Sequence, residues 1–171
     1  MEFFDLIQKR RSIRAYGSRD VEEVKLNRIM DAINSAPSAG NLQAYEVFVV
    51  KSEAKKKALA RAAFDQDFVT QAPVCLVFFA DPPRSFVRYG SRGETLYSVQ
   101  DATIAATFAM LAAVDLGLAT VWLGAFKDDE VAEVLGVKSL RPVVILPIGY
   151  SAENPGATSR RPLEDVFHHA G

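Results

Sequence analysis

The sequence predicts an α/β or α+β sandwich in which helices flank a mixed β-sheet. Three observations carry this. Short apolar runs of strand length alternate with stretches of helical period along the 171 residues. Hydrophobic residues make up 49% of the chain, enough for a sizeable core. No repeat, low-complexity tract or linker-like segment divides the chain, so one domain is expected over residues 1–171. Periodicity alone does not fix the strand order.

The elements follow in order. A short helix is expected over residues 2–8, from the apolar opening Phe3-Phe4-Asp5-Leu6-Ile7. A second spans 21–35, with Asp20 as N-cap and Val24, Ile29, Met30 and Ile33 near one face. Pro37-Ser38-Ala39-Gly40-Asn41 then breaks it, as turn chemistry requires. Residues 45–50 are a compact β-prone run. Residues 52–64 return to helix, with Lys55, Lys56, Lys57 and Arg61 keeping one side in water. Residues 74–80 form a second, buried strand between Pro73 and Pro82-Pro83.

Residues 84–97 are polar and aromatic, and they read as a mobile or lid-like excursion. Residues 99–116 make a long helix, apolar nearly all round, that runs through the core and ends at Gly117. A third strand (119–123), a helix (128–135) and a fourth strand (143–148) complete the set. The tail Arg160-Arg161-Pro162-Leu163 is too basic for a core element and is expected to wrap over a neighbour.

Composition removes several function classes. A net charge of −1 argues against generic nucleic-acid binding, so any anion site is local. The single cysteine, Cys75, excludes an intrachain disulfide and a thiolate metal cluster; its apolar surroundings read as a buried strand. No signal-peptide run is present and no stretch approaches a membrane span, so a soluble, cytoplasmic protein is expected. No GxGxxG follows a strand, and no phosphate-binding lysine loop occurs. His168 and His169, the only histidines, lie in the tail, which excludes a Ser-His-Asp triad and leaves no metal site. Asp101, in the long helix, reads as a buried hydrogen-bonding carboxylate. With no metal, nucleophile or acid–base pair in view, the chemistry falls to an organic cofactor that the protein binds and orients.

Four segments supply donors and walls for such a cofactor. Arg10-Arg11-Ser12-Ile13-Arg14 combines three forked guanidiniums with a hydroxyl. Taken alone it reads equally as a solvated basic turn. Ala36-Pro37-Ser38-Ala39-Gly40-Asn41-Leu42-Gln43 is a turn of small residues and amides. Thr120-Val121-Trp122-Leu123-Gly124-Ala125 is a strand ending in a glycine that lets backbone approach a ligand. Ser159-Arg160-Arg161-Pro162 is the fourth.

In this order, with Tyr97–Ala106 (YSVQDATIAA), LPIGY and RRPLED, the segments resemble the nitroreductase family of flavin enzymes in its short form. The resemblance implies an α+β, nitroreductase-like three-layer sandwich, a mixed central sheet between helices, assembled as an intertwined homodimer. It implies one FMN at each of two subunit-interface sites, with NADH or NADPH as co-substrate. By motif, Arg10 and Ser12 hold the phosphate or ribityl chain, and Arg160 or Arg161 completes that site. Arg14 faces the flavin N1/O2 edge. Pro37, Ser38 and Asn41 come from the partner subunit, with Gln43 close by. The Leu123–Gly124 backbone reaches the N5 region, and Gln66 the O4/N3 edge. Arg11 and Ala39, inside the same motifs, join the cofactor-binding set. No side chain is catalytic in its own right, and no metal is implied.

The implied reaction moves hydride from NAD(P)H through flavin N5 to a nitroaromatic, quinone or similar acceptor, in a ping-pong cycle. The same architecture also serves dehalogenation, dehydrogenation of peptide-derived rings and consumption of the flavin itself. A flavin-binding redox module without fast turnover is a further alternative. Glu94 and Asp101 are given no proton-transfer role. Tyr89, Tyr97 and Phe126 either line the acceptor pocket or pack. Two departures stand out. Ala44-Tyr45 replaces the Pro-Trp common in the family, and Asp20 stands where proline is common.

Overall fold

The computed structural model describes residues 2–170. Its elements are α1 (Phe3–Lys9), α2 (Glu23–Asn34), β1 (Tyr45–Val50), α3 (Glu53–Ala62), α4 (Phe68–Gln71), β2 (Val74–Ala80) and α5 (Pro82–Arg92). After a π-turn at Gly93–Tyr97 follow α6 (Ser98–Asp115), β3 (Ala119–Thr120), α7 (Asp128–Leu135) and β4 (Arg141–Gly149). The sheet order is β1-β2-β4-β3.

Every named strand pair is antiparallel. The expected mixed sheet is thus corrected: among the described residues, parallel pairing is confined to an isolated bridge between Ser12 and Thr120. All seven residues of β2 are buried, because its two faces serve two cores. Cys75, Val77 and Phe79 point to one, with α3, α4 and Val131 of α7. Val74, Leu76 and Phe78 point to the other, with Leu26, Ile29 and Ile33 of α2 and the alanines of α6. Three layers result, and each fully buried phenylalanine contributes about 2–3 kcal/mol of burial energy.

Prolines shape the sheet. Pro142 and Pro147 lack N–H groups. The register of β2 on β4 shifts between Phe78 and Phe79, where Phe79 meets Pro142. The run expected at 119–123 is a strand only over Ala119–Thr120. It re-joins β4 at a separate Leu123–Ile145 bridge, past the stretch opposite Pro147.

Other expectations are corrected. α2 begins at Glu23 with Glu22 at its N-cap, not Asp20. Its buried seam is Leu26, Ile29 and Ile33, while Val24 and Met30 are exposed. Lys56 is not on the wet face of α3. It is buried, and its ammonium donates to the carbonyls of Ala72 (2.7 Å) and Thr70 (3.3 Å), tying α3 to the end of α4. Residues 84–97 are helical rather than a loop. The chain turns at Gly90 (φ 57°) and runs through the π-turn into α6. By length and composition alone the run Pro82–Asp115 is apolar enough to cross a membrane, against the expectation. Its apolar half is accounted for by the core: Ala102, Ala105, Ala106, Ala109, Met110 and Ala113 are buried. Gly117 ends α6 as expected, in the left-handed region (φ 74°), with the Leu118 N–H returning to the Ala113 carbonyl (2.8 Å).

Candidate functional site

The predicted residues gather in two regions. The first lies along β3. Chain leaving α1 runs beside this strand: Ser12 bridges Thr120, and the Ile13 N–H donates to the Thr120 carbonyl (3.2 Å). Buried Ile13 and Tyr16 pin the segment to the core, with the Tyr16 hydroxyl donating to the Ile13 carbonyl (2.7 Å). Burial pushes the Tyr16 hydroxyl pKa far up, so this anchor stays neutral. The Glu153 carboxylate accepts from the Arg14 N–H, and the Ala152 N–H donates to the Ala15 carbonyl (2.9 Å).

Arg10, Arg11, Ser12, Arg14 and Arg160 line one cavity of about 600 Å³, with Pro155–Thr158 as a further wall. Among the described residues, no ion pair engages Arg10, Arg14 or Arg160. Like charges gathered without counter-ions are relieved by an anion, and guanidinium forks match phosphate. The donor set therefore fits a phosphate-bearing ligand. Two of the predicted arginines are otherwise employed. Arg11 lines the cavity but folds back on α1, donating to the carbonyls of Gln8 (2.5 Å) and Arg10 (2.9 Å). Arg161 donates to the Asp165 carbonyl (2.6 Å) and is absent from the cavity lining, whereas Arg160 belongs to it.

The chain beyond β3 continues the same region. Both backbone groups of Leu123 pair with Ile145 (3.1 and 3.0 Å). The next N–H, that of exposed Gly124, has no acceptor among the described residues. Gly124 and Phe126 border a smaller cavity of about 180 Å³ with Val99 and Arg141. The Lys127 N–H donates to the Ala62 carbonyl (2.9 Å), which holds the turn carrying Gln66 on this side. The Gln66 amide donates to the Ala63 carbonyl (2.9 Å).

The second region is the turn between α2 and β1, at the opposite edge of the sheet. Gly40 (φ 55°), Asn41 (φ 57°) and Gln43 (φ 44°) are all left-handed, an unusual density for a short turn. Asp101, buried at the start of α6, accepts from the N–H groups of Ala39 (2.9 Å) and Ala44 (3.3 Å). The carboxylate expected to be a buried hydrogen-bonding group is the clamp that shapes this turn. Its charge, after burial itself, also pushes the Tyr45 hydroxyl pKa up. The Gln43 N–H donates to the Ser38 hydroxyl (2.9 Å), and the Gln43 amide to the Asn41 side-chain and backbone oxygens (2.6 Å each). Pro37 is exposed at the start of the turn.

Sequence reasoning missed what covers this turn. Arg84 donates to the Leu42 carbonyl (2.5 Å) and Arg88 to the Gly40 carbonyl (3.3 Å). The signal was the four-residue spacing of those arginines, which places them on one face of a helix within the segment read as a lid-like excursion. Tyr89 and Tyr97 meet edge to face at 5.1 Å beside it. A further groove of about 530 Å³ between α7 and β4 gathers none of the predicted residues.

Comparison with known proteins returns one family. The model described as the Nitroreductase family matches residues 7–66 and 60–150. The chain is 32% identical to a protein of Thermus thermophilus named NADH dehydrogenase, over 92% of this chain and 91% of that one. It is 34% identical to a Bacillus subtilis protein named FMN reductase [NAD(P)H], over 92% and 69%. The solved structure of B. megaterium NfrA2 superimposes with a TM-score of 0.91 at 31% identity, covering 98% of this chain and 74% of that one.

Proposed function

The chain belongs to the nitroreductase family and is an NAD(P)H-dependent oxidoreductase, and on that premise we propose that it binds FMN between two copies of itself and delivers hydride to nitroaromatic, quinone or similar electron-poor acceptors. The observation that carries this reading is the cavity beside β3, where, among the described residues, Arg10, Arg14 and Arg160 stand without carboxylate partners.

FMN, when bound, supplies a ring that accepts hydride and gives it up again. The chain's own groups do the rest. Arg10, Ser12 and Arg160 hold the phosphate and ribityl chain. Arg14 would present its positive charge to the N1/O2 edge of the ring, where a cation favours the reduced flavin electrostatically. The Gly124 N–H offers a hydrogen bond at the reacting edge, with Gln66 on the same side. Backbone pairing to β3 anchors the chain at Ser12 and Ile13, so the flanking arginines project from a held backbone.

The homodimer is supported by the separation of the two regions. β1 and β3 are the outer strands, so two strands lie between the turn at 37–43 and the arginine segment. At about 4.8 Å per strand spacing this is roughly 14 Å. A second copy brings its own 37–43 turn, with Pro37, Ser38, Ala39, Asn41 and Gln43, to the arginine edge of the first.

The test is reconstitution with FMN, then rapid-mixing reduction by NADH and by NADPH, then an acceptor panel. A yellow protein whose colour bleaches with a nicotinamide and returns with a nitroaromatic or quinone is expected. A protein that stays colourless after reconstitution sinks the reading.

A further inference from the structure

We propose that the helical hairpin made by α5 and the start of α6 reads the 2′-phosphate of the hydride donor, and so selects NADPH over NADH. This rests on the function proposed above.

Arg84 and Arg88 stand one turn apart on α5, on the same face. Arg92, beyond the turn at Gly90, is brought to them by a ladder of rings. The Arg88 guanidinium lies 5.5 Å from the Tyr89 ring, Tyr89 packs edge-on against Tyr97 at 5.1 Å, and Arg92 lies 5.4 Å from the Tyr97 ring. The Arg92 Nε also donates to the Tyr97 hydroxyl (2.9 Å). The two limbs are locked together, since a Cβ on Gly93 would lie 2.5 Å from the Ser85 carbonyl oxygen. The hairpin thus carries three guanidiniums, Arg88 and Arg92 set against the two tyrosine rings and Arg84 one turn before Arg88.

These arginines have charge to spare. All three are exposed, and none forms an ion pair among the described residues. Asp81, the acid nearest to Arg84 in the chain, is engaged as the α5 cap, accepting from the Arg84 N–H (3.0 Å). A guanidinium has five donor hydrogens, and each of these three spends one in the bonds described. The place is also right. Arg84 and Arg88 bond to the Leu42 and Gly40 carbonyls, inside the turn that brings Ser38, Asn41 and Gln43 to the flavin. α5 borders that turn, so a dinucleotide with its nicotinamide on the ring would have the α5 arginines within the reach of its adenosine half.

The chemistry chooses between the two donors. NADPH differs from NADH by one phosphate dianion on the adenosine ribose. Arginine forks suit that group, whereas a free ribose hydroxyl is characteristically read by a carboxylate.

The experiment uses the FMN-loaded protein and the double variant Arg88→Gln/Arg92→Gln. Calorimetric titration with adenosine 2′,5′-bisphosphate and with adenosine 5′-monophosphate isolates the 2′-phosphate. The wild type is expected to favour the bisphosphate by about ten-fold or more, the scale of one charge-assisted contact. The double variant loses that margin, and its NADPH-to-NADH ratio of kcat/KM drops by a similar factor; the ratio, unlike either rate alone, does not move with any loosening of the turn that Arg88 bonds. Equal affinity of the wild type for the two nucleotides, or a margin that survives in the variant, overturns the proposal. A flavin that neither nicotinamide reduces would defeat the oxidoreductase reading instead, and the nucleotide titration would still decide on the hairpin.

Discussion

The two edges of the sheet prepare for a ligand in opposite ways. At the β3 edge the backbone of 12–16 is tied down by sheet-like pairing, and the side chains Arg10, Arg14 and Arg160 are left without ionic partners. At the β1 edge the side chains of Ser38, Asn41 and Gln43 bond within the turn itself, and the backbone is bent into three left-handed residues. One edge offers charge on a conventional backbone; the other offers shape on an unconventional one. Stability and ligand affinity should therefore separate by edge: damage at β1 costs folding, and damage at β3 costs binding.

The largest effect is expected from Asp101→Ala. It removes a buried acceptor of two backbone N–H groups, and urea denaturation should show a loss of about 3 kcal/mol. Asp101→Asn keeps an acceptor and should lose less. An alanine variant as stable as wild type would mean that Arg84 and Arg88 hold the turn on their own. Next is Arg14→Ala. Its unfolding free energy should stay within about 0.5 kcal/mol, because the side chain is exposed. FMN affinity, by fluorescence titration, should weaken about ten-fold, or the flavin potential should fall. If both are unchanged, Arg14 does not face the ring.

Gly40→Ala tests the shape of the β1 edge with one methyl group. The residue sits at φ 55°, and its Cβ would lie 2.4 Å from the Tyr89 hydroxyl oxygen. A loss of about 1–2 kcal/mol is expected, partly recovered by adding Tyr89→Phe. No recovery would place the strain in the backbone alone. The smallest effect lies between the edges, at Cys75. Burial, partly offset by the Lys56 charge, pushes its thiol up to about 12. Its contribution to stability is fully present below the ordinary thiol pKa and is lost as pH rises towards the folded value. Native protein at pH 8 should not react with a disulfide reagent, and should react once unfolded; fast native reaction would show that the central strand opens.

Much of this was legible in the sequence where a residue's neighbours in the chain decide its fate. The runs at Tyr45–Val50, Val74–Ala80 and Asp128–Leu135 stand as read, since composition and flanking breakers delimit them. Of the four segments expected to serve a cofactor, the structure gathers residues of the first and last, Arg10, Arg11, Ser12, Arg14 and Arg160, around one cavity. What failed was decided by tertiary contact. Lys56 follows the polar period of α3, yet the unpaired carbonyls ending α4 draw its ammonium inward. Val24 looked core-facing because one face was drawn through the wrong apolar residues; Leu26 marks the true seam. Residues 84–97 looked like an excursion because the partners of Arg84 and Arg88 lie in a turn some 45 residues earlier. The division of labour between Arg160 and Arg161 depends on carbonyl placement that no local pattern encodes.

The bridge between Ser12 and Thr120 has one more consequence. β3 is an outer strand, and an outer strand with open hydrogen-bonding groups invites another chain to add to it. Segment 12–13 occupies that side of β3, so the stretch flanked by Arg10 and Arg14 also acts as a cover against runaway sheet growth. If the proposed site holds, selection for cofactor binding and selection against aggregation meet in the one short segment around Ser12 and Ile13. A change there that spares the flavin still bears on whether the chain stays dispersed.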